Sequence, residues 1–264
     1  MIKNMTLGQY FPGNSIIHRM DPRMKLILTI LLIVVVFFCQ SVWSYCAVVA
    51  LLLFAILLSR VGIKYVLKGI KPLWFILVFT FVLNVFFSTG GNVVFEWEFI
   101  KITDKGLMNA INIALRLILL ITTTTVMTLT TSPMEITDAI ERLLKPLKWV
   151  RFPVHEMALM MSIALRFIPT LMDETDRIMK AQTARGASFD EGGLIGKAKS
   201  MVPILVPLFV SAFKRADELA LAMESRCYNG GDHRTRMKVL HLKLKDWVAF
   251  LVTALLGAAI IVWG

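Results

Sequence analysis

The stretch LILTILLIVVVFFCQSVWSYCAVVALLLFAILL, residues 26–58, decides the fold of this chain. It runs for 33 positions without a charged residue and would form a helix of roughly 50 Å, against a hydrocarbon core of about 30 Å. One crossing is therefore too few. Because the polar residues Gln40, Ser41 and Ser44 interrupt the stretch near its middle, we predict two membrane-spanning helices joined by a tight turn.

The composition of the whole chain agrees with membrane insertion. Of the 264 residues, 57% are hydrophobic and 18% are charged, and the mean hydropathy is +0.70, which is far more apolar than a soluble domain of this length needs. Three further apolar segments predict spans, at Pro72 to Ser88, Leu107 to Thr131 and Trp247 to Trp263. We therefore predict an all-α, polytopic membrane protein with about five transmembrane helices and a cytoplasmic module of long helices.

Basic residues lie in short segments that would face the same side of the membrane. Lysine and arginine in short loops prefer the cytoplasmic side. The loop from Gly90 to Lys105 is close to neutral and suits the outer side. We predict a cytoplasmic N-terminus and a C-terminus outside the cell membrane. The basic residues before the first span and after the second are Lys3, Arg19, Arg23, Lys25, Arg60, Lys64, Lys68 and Lys71.

The segment from Pro133 to Lys245 carries 18 of the 29 basic residues and 13 of the 18 acidic ones, so it must be largely in contact with water. Its apolar faces are nevertheless broad, which favours helices that lie half in the membrane interface or pack on the transmembrane bundle. The predicted domains are therefore residues 1–132, 133–245 and 246–264. The middle domain is predicted to contain helices from the capping sequence Ser132-Pro133-Met134-Glu135 to about Lys145, from Pro153 to Arg185 with a kink at Pro169, and from about Met201 to Arg226.

The second and third of these predicted helices end alike, at Ala184-Arg185-Gly186 and at Ser225-Arg226-Cys227. A single basic residue at a helix C-terminus commonly offsets the helix dipole, by about 0.3–1 kcal/mol, and for either arginine alone this interpretation stays open. Two matched ends favour a docking role. The planar guanidinium group can form bidentate bonds with carboxylates of a partner, whereas lysine would keep the charge and lose this geometry.

With these residues the chain resembles the transmembrane T component of energy-coupling factor transporters, the EcfT or CbiQ family. The resemblance covers early spans, a helical module with two Ala-Arg-Gly-type motifs and a final span. It implies that the module consists of coupling helices, whose arginine motifs dock onto two ABC-type ATPase subunits, and whose remaining surface holds a membrane-embedded substrate-binding S component. The implied ATPase-binding residues are Ala184, Arg185, Gly186, Ser225, Arg226 and Cys227, and the second motif differs from Ala-Arg-Gly on both sides of its arginine.

Catalysis within the chain is not expected. The sequence contains no phosphate-binding loop, no HExxH motif and no nucleophile with an adjacent base, and His155 with Glu156 is too little for an embedded enzyme. We therefore expect a non-catalytic coupling subunit of a vitamin or metal-ion importer, without cofactor or bound metal of its own. The alternative is a self-contained secondary transporter, which would need ionisable groups near the bilayer midplane. Such groups are not evident: Arg116 lies within its predicted span, but near the outer end, and is expected to extend toward the headgroups.

Overall fold

The computed structural model describes residues 10–87, 93–97, 100–150, 152–187, 189, 193–230 and 241–263. Its contacts divide the chain into two compact units, one formed by Gly8–Ala139 with Val239–Gly264 and the other by Ile140–Lys238. Each unit is described by itself. The helices and strands of the described residues are α1 (Pro22–Phe38), α2 (Val42–Ser59), α3 (Ile63–Ile70), α4 (Trp74–Phe87), β1 (Val93–Trp97), β2 (Ile100–Thr103), α5 (Asp104–Thr130), α6 (Pro133–Leu143), α7 (Val154–Ala184), α8 (Leu194–Ser200), α9 (Val202–Glu224) and α10 (Leu244–Trp263).

The decisive apolar stretch forms the hairpin of α1 and α2 that the sequence predicts. The chain turns at Cys39, Gln40 and Ser41, which lie between the two helices. The carbonyl oxygen of Cys39 accepts hydrogen bonds from the Tyr45 hydroxyl at 3.1 Å and from Arg116 of α5 at 3.3 Å. The turn is therefore held by side chains, and Arg116, expected to reach the headgroups, has a partner within the protein.

The core of this first unit lies where α1, α2, α5 and α10 meet. Val35 and Val36 of α1 and Val48 of α2 are at most 1% exposed, and they cluster with Leu119 and Ile260. Close packing is possible here because α10 carries a glycine at position 257. A Cβ atom on Gly257 would lie 2.7 Å from Val35 Cγ2, which is too close for any larger residue without a shift.

Hydrogen bonds define the direction of each helix within the unit. The amide of Asp21 donates to the carboxylate of Asp246 at 3.3 Å, so α1 and α10 begin at the same end. Lys25 donates to the carbonyl of Thr130 at 2.9 Å, so α5 finishes at that end and runs antiparallel to α1. We call this the basic end, because most of the described basic residues of the unit lie there. They include Arg19, Arg23, Lys25, Arg60, Lys64, Lys68, Lys71, Lys243 and Lys245.

The predicted all-α membrane fold with about five transmembrane helices is confirmed. Within the described residues, five helical segments are long and apolar enough to cross a membrane: Val42–Ser59, Ile63–Phe86, Asp104–Thr130, Val154–Ala184 and Leu244–Val262. Their membership differs from the prediction in two places. Helix α1, which the sequence predicts as a span, has only 17 residues and is not among the five. Helix α7, for which the sequence favours a position in the membrane interface, has 31 residues and is long and apolar enough to cross a membrane. The short antiparallel hairpin of β1 and β2, in the predicted outer loop, was not predicted.

The start of α6 confirms the predicted capping sequence. The amide of Glu135 donates to the hydroxyl oxygen of Ser132 at 3.3 Å, and the amide of Ser132 donates to the Glu135 carboxylate at 3.4 Å. These reciprocal bonds form a capping box, and Pro133 occupies the first helical position, where its missing N–H costs nothing. The extents of α7 and α9 agree with prediction within two residues at each end.

Candidate functional site

The predicted site lies on α7 and α9, which pack as an antiparallel pair in the second unit. Glu174 of α7 accepts hydrogen bonds from the Ser211 hydroxyl and from the Arg215 guanidinium of α9, each at 2.5 Å. Nearer the end of α7, the side-chain amide of Gln182 donates to the carbonyl of Pro203 at 3.5 Å. Later residues of α7 thus meet earlier residues of α9, so the two helices run in opposite directions.

Small residues of α9 line the apolar seam between the two helices. Ala212, Ala216 and Ala220 recur every four residues and therefore share one helix face. Together with Phe167 and Leu171 of α7 they line a groove with a volume of about 320 Å³. Neither this seam nor the contacts of Glu174 with Ser211 and Arg215 were predicted from the sequence. Two features of the sequence could have indicated this packing. The alanines recur every four residues, and the acidic Glu174 lies on an otherwise apolar face of α7.

The outer surface of the pair is strongly apolar although it faces no other part of the described unit. Met160 of α7 is 61% exposed, and Phe209 and Phe213 of α9 are 61% and 69% exposed. Isolated exposed apolar residues are normal, but a set of this size on one helix, between Val202 and Phe213, is typical of a surface that contacts lipid or another protein. The other exposed large apolar residues of α9 are Val202, Leu205, Val206, Val210 and Leu221.

Helix α7 ends in a Schellman motif built around the first arginine. The amide of Gly186 donates to the carbonyl of Thr183, and the amide of Ala187 donates to the carbonyl of Gln182, both at 3.0 Å. Gly186 has a φ of 88°, in the left-handed region that glycine adopts readily. Arg185 immediately precedes this turn and is exposed to solvent.

Helix α9 ends in the same motif around the second arginine. The amide of Cys227 donates to the carbonyl of Glu224 at 2.8 Å, and the amide of Tyr228 donates to the carbonyl of Met223 at 3.0 Å. Cys227 has a φ of 57°, also in the left-handed region. Arg226 immediately precedes the turn and is exposed, as Arg185 is.

The two tripeptides are therefore equivalent in backbone geometry despite their different flanking residues. The third position needs a left-handed backbone rather than a small side chain, because a Cβ on Gly186 would meet no atom within 4 Å. A cysteine at 227 meets the same requirement at some conformational cost, since left-handed geometry is unfavourable for residues other than glycine by about 1–2 kcal/mol. All six predicted site residues are exposed: Ala184, Arg185, Gly186, Ser225, Arg226 and Cys227.

The antiparallel packing sets the two arginines at opposite ends of the helix pair. The contacts of Glu174 with Ser211 and of Gln182 with Pro203 place the end of α9 beside α7 near residue 160. At 1.5 Å per residue, Arg185 and Arg226 are then separated by about 37 Å along the pair. This distance exceeds what one small binding pocket spans, so each arginine is available to a different partner surface.

His155, Thr123 and Thr124 have hydrogen-bond partners within the protein. His155 pairs with Glu141 of α6 at 3.0 Å rather than with Glu156, and no group of metal-ligating side chains occurs in the described part of the chain. The hydroxyls of Thr123 and Thr124 donate to carbonyls of their own helix at 2.8 and 3.0 Å.

The fold and the site define a multi-pass helical membrane protein that presents two exposed, arginine-tipped helix ends. Residues 13–237 match the model of the CbiQ family, described as cobalt transport protein. The chain belongs to this family, which confirms the resemblance inferred from its sequence.

Individual relatives match over almost the whole chain. The energy-coupling factor transporter transmembrane protein EcfT of Clostridium kluyveri is 54% identical over 257 residues, covering 97% of this chain and 95% of that protein. The EcfT proteins of Brevibacillus brevis and Bacillus subtilis are 49% and 48% identical and cover 100% and 99% of this chain, and 99% and 98% of their own lengths.

Proposed function

We propose that this chain is the non-catalytic transmembrane coupling subunit of an energy-coupling factor importer for vitamins or metal ions. In this proposal two ABC-type ATPase subunits bind the arginine-tipped ends of α7 and α9, and a substrate-binding S component binds their exposed apolar surface. The supporting observation is the equivalence of the two caps, each of which presents one exposed arginine, at Arg185 and at Arg226.

The helix pair has the properties that force transmission requires. The Glu174 carboxylate binds Ser211 and Arg215 across the seam, so movement of one helix is transferred to the other. The tips are about 37 Å apart along the pair, which suits two separate ATPase subunits. When ATP-driven closure moves these subunits, the pair would tilt as one body, and the S component bound to its apolar surface would move with it.

The orientation proposed for the chain has a cytoplasmic basic end. Lysine and arginine are retained on the cytoplasmic side of short segments, and this end carries most of the basic residues of the first unit. Because α1 and α10 begin at the same end, the C-terminus of α10 would then lie outside. Helix α7 would lie along the interface, since its length includes Arg166, Asp173, Glu174 and Arg177.

The test is replacement of both tip arginines, Arg185→Glu with Arg226→Glu, in a chain coexpressed with its two ATPase subunits. Reversal of charge at both caps should abolish copurification of the ATPases while the chain remains inserted in the membrane. The matched control is Arg177→Glu with Lys214→Glu, which reverses one exposed charge on each helix away from the tips. The control should retain both ATPases.

Unchanged copurification by the tip variant would defeat the docking assignment. Equal loss in the tip and control variants would assign the effect to general charge rather than to the caps. Substrate uptake by liposomes that contain this chain without any ATPase would instead favour a self-contained secondary transporter and contradict the coupling role.

A further inference from the structure

An apolar cavity lies at the basic end of the first unit. It has a volume of about 500 Å³, and its walls come from α1, α2, α5 and α10, with Ile16, Ile17 and Met20 of the N-terminal arm at one side. Among the described residues that line it, the few polar groups are lysines and threonines. The threonine Thr29 donates its hydroxyl to a carbonyl of its own helix at 2.8 Å, and Thr253 does the same.

The cavity is one leaflet deep. Each helix contributes only the part nearest the basic end, at residues 25–32 of α1, 51–58 of α2, 123–130 of α5 and 244–253 of α10. Eight to ten residues of helix rise about 12–15 Å, which is about half of the 30 Å hydrocarbon core. A cavity of this depth matches the acyl chain of a lipid in one leaflet rather than a helix that crosses the membrane.

The cavity opens sideways between α2 and α10. Phe54 of α2 lines it yet is 62% exposed, and Val248 and Val252 of α10 line it and are 54% and 47% exposed. In a membrane protein, exposed apolar residues at this depth face lipid. The opening would therefore admit an acyl chain from the surrounding leaflet.

An exposed lysine at the edge of the cavity could bind a lipid headgroup. Lys245 lines the cavity and is exposed, and the neighbouring Trp247 is 56% exposed, as is typical of aromatic residues at headgroup level. Lys25 also lines the cavity, but it is buried and donates to oxygens of His18, Thr130 and Thr131. The positive charge offered to a headgroup with a net negative charge is therefore that of Lys245.

The carboxylate beside Lys245 does not compete for this charge. Asp246 is 1% exposed and accepts hydrogen bonds from the amides of Asp21 at 3.3 Å and of Lys243 at 2.8 Å. It points into the protein, where two backbone donors bind it, while Lys245 remains at the surface.

We propose that this cavity binds one phospholipid, with an acyl chain between α2 and α10 and an anionic headgroup at Lys245. The lipid fills the space over the packed core of α1 and α5 and closes the gap between α2 and α10. The residues of this site differ from those of the proposed ATPase and S-component surfaces, so the two proposals are tested independently.

The test uses native mass spectrometry of the purified full chain incubated with phosphatidylglycerol or with phosphatidylcholine of the same acyl chains. Ala249→Trp fills the cavity from α10 and should remove one tightly retained phosphatidylglycerol. Ala259→Trp places the same side chain at an exposed position of α10 outside the cavity and should retain it. Equal lipid retention by these two variants and the unmodified chain would overturn the proposal.

A second variant tests the headgroup without disturbing the cavity wall. Lys245→Gln should weaken retention of phosphatidylglycerol about fivefold, as expected for one basic residue near an anionic lipid surface, and should leave phosphatidylcholine retention unchanged. Lys64→Gln, on exposed α3, is the matched control and should leave both unchanged.

A phosphatidylglycerol with a photoreactive acyl chain locates the lipid directly. Crosslinks within residues 51–58 and 244–253 are expected in the unmodified chain. Crosslinks confined to other segments, or equal effects of Lys245→Gln and Lys64→Gln on phosphatidylglycerol, would refute the assignment.

Discussion

The cap at Arg185 provides a quantitative prediction for Gly186→Ala. Gly186 has a φ of 88°, and a Cβ there would meet no atom within 4 Å, so the cost is that of backbone geometry alone. Left-handed geometry costs an L-residue about 1–2 kcal/mol, while alanine loses less backbone entropy than glycine on ordering by about 0.5–1 kcal/mol. The net cost is therefore about 0.5–1 kcal/mol, which reduces the ratio of closed to open cap about two- to fivefold.

Hydrogen exchange of the backbone amides at the cap measures the ratio of closed to open cap. The amides at positions 186 and 187 donate the two bonds of the Schellman motif, so their protection should fall by the same factor. The reverse change at the other tip, Cys227→Gly, should increase protection at 227 and 228, because Cys227 holds a φ of 57° without the freedom of glycine. If the two caps are equivalent, amide protection should therefore fall in Gly186→Ala and rise in Cys227→Gly.

The control is Gly193→Ala, at a glycine in the same unit whose backbone is not left-handed and whose Cβ would also meet open space. It should leave protection at 186 and 187 unchanged. If Gly186→Ala leaves protection unchanged as well, or if Cys227→Gly lowers it, the two tips are not equivalent caps and the reasoning fails.

Two further predictions concern packing. Glu174→Ala removes the carboxylate that binds Ser211 and Arg215, and it should destabilise the α7 and α9 pair by about 1–2 kcal/mol, since charged hydrogen bonds contribute more than neutral ones but this site is partly exposed. Gly257→Ala forces a Cβ against Val35 and should destabilise the first unit by about 1–3 kcal/mol, the usual cost of overpacking. Thermal unfolding in detergent measures both as a lower midpoint.

Each packing variant has a control on the same helix. Asp173→Ala removes an exposed carboxylate next to Glu174, and Ala259→Val adds volume at an exposed position near Gly257. Both controls should keep the midpoint of the unmodified chain. A Glu174→Ala midpoint equal to that of Asp173→Ala would contradict the stabilising role of the Glu174 carboxylate, and tolerance of Gly257→Ala would contradict the close contact of α1 with α10.

Much of the fold follows from local sequence. Apolar runs and their polar interruptions predict the α1 and α2 hairpin, and the Ser132 capping box predicts where α6 begins. The ends of α7 and α9 follow similarly, because a helix stop depends on a few adjacent residues. The likeness of the two arginine motifs is also a local property, and it pointed to the same tips that the structure exposes at Arg185 and Arg226.

Tertiary structure decided what local patterns cannot express. The antiparallel register of α7 and α9 depends on Glu174 meeting Ser211 and Arg215, 37 and 41 positions later. The basic end depends on Lys25 reaching Thr130, 105 positions away. Hydrophobic periodicity shows which face of a helix is apolar, but not which other helix covers it. For that reason the separation of the tips and the cavity between α2 and α10 became visible only when the helices were packed.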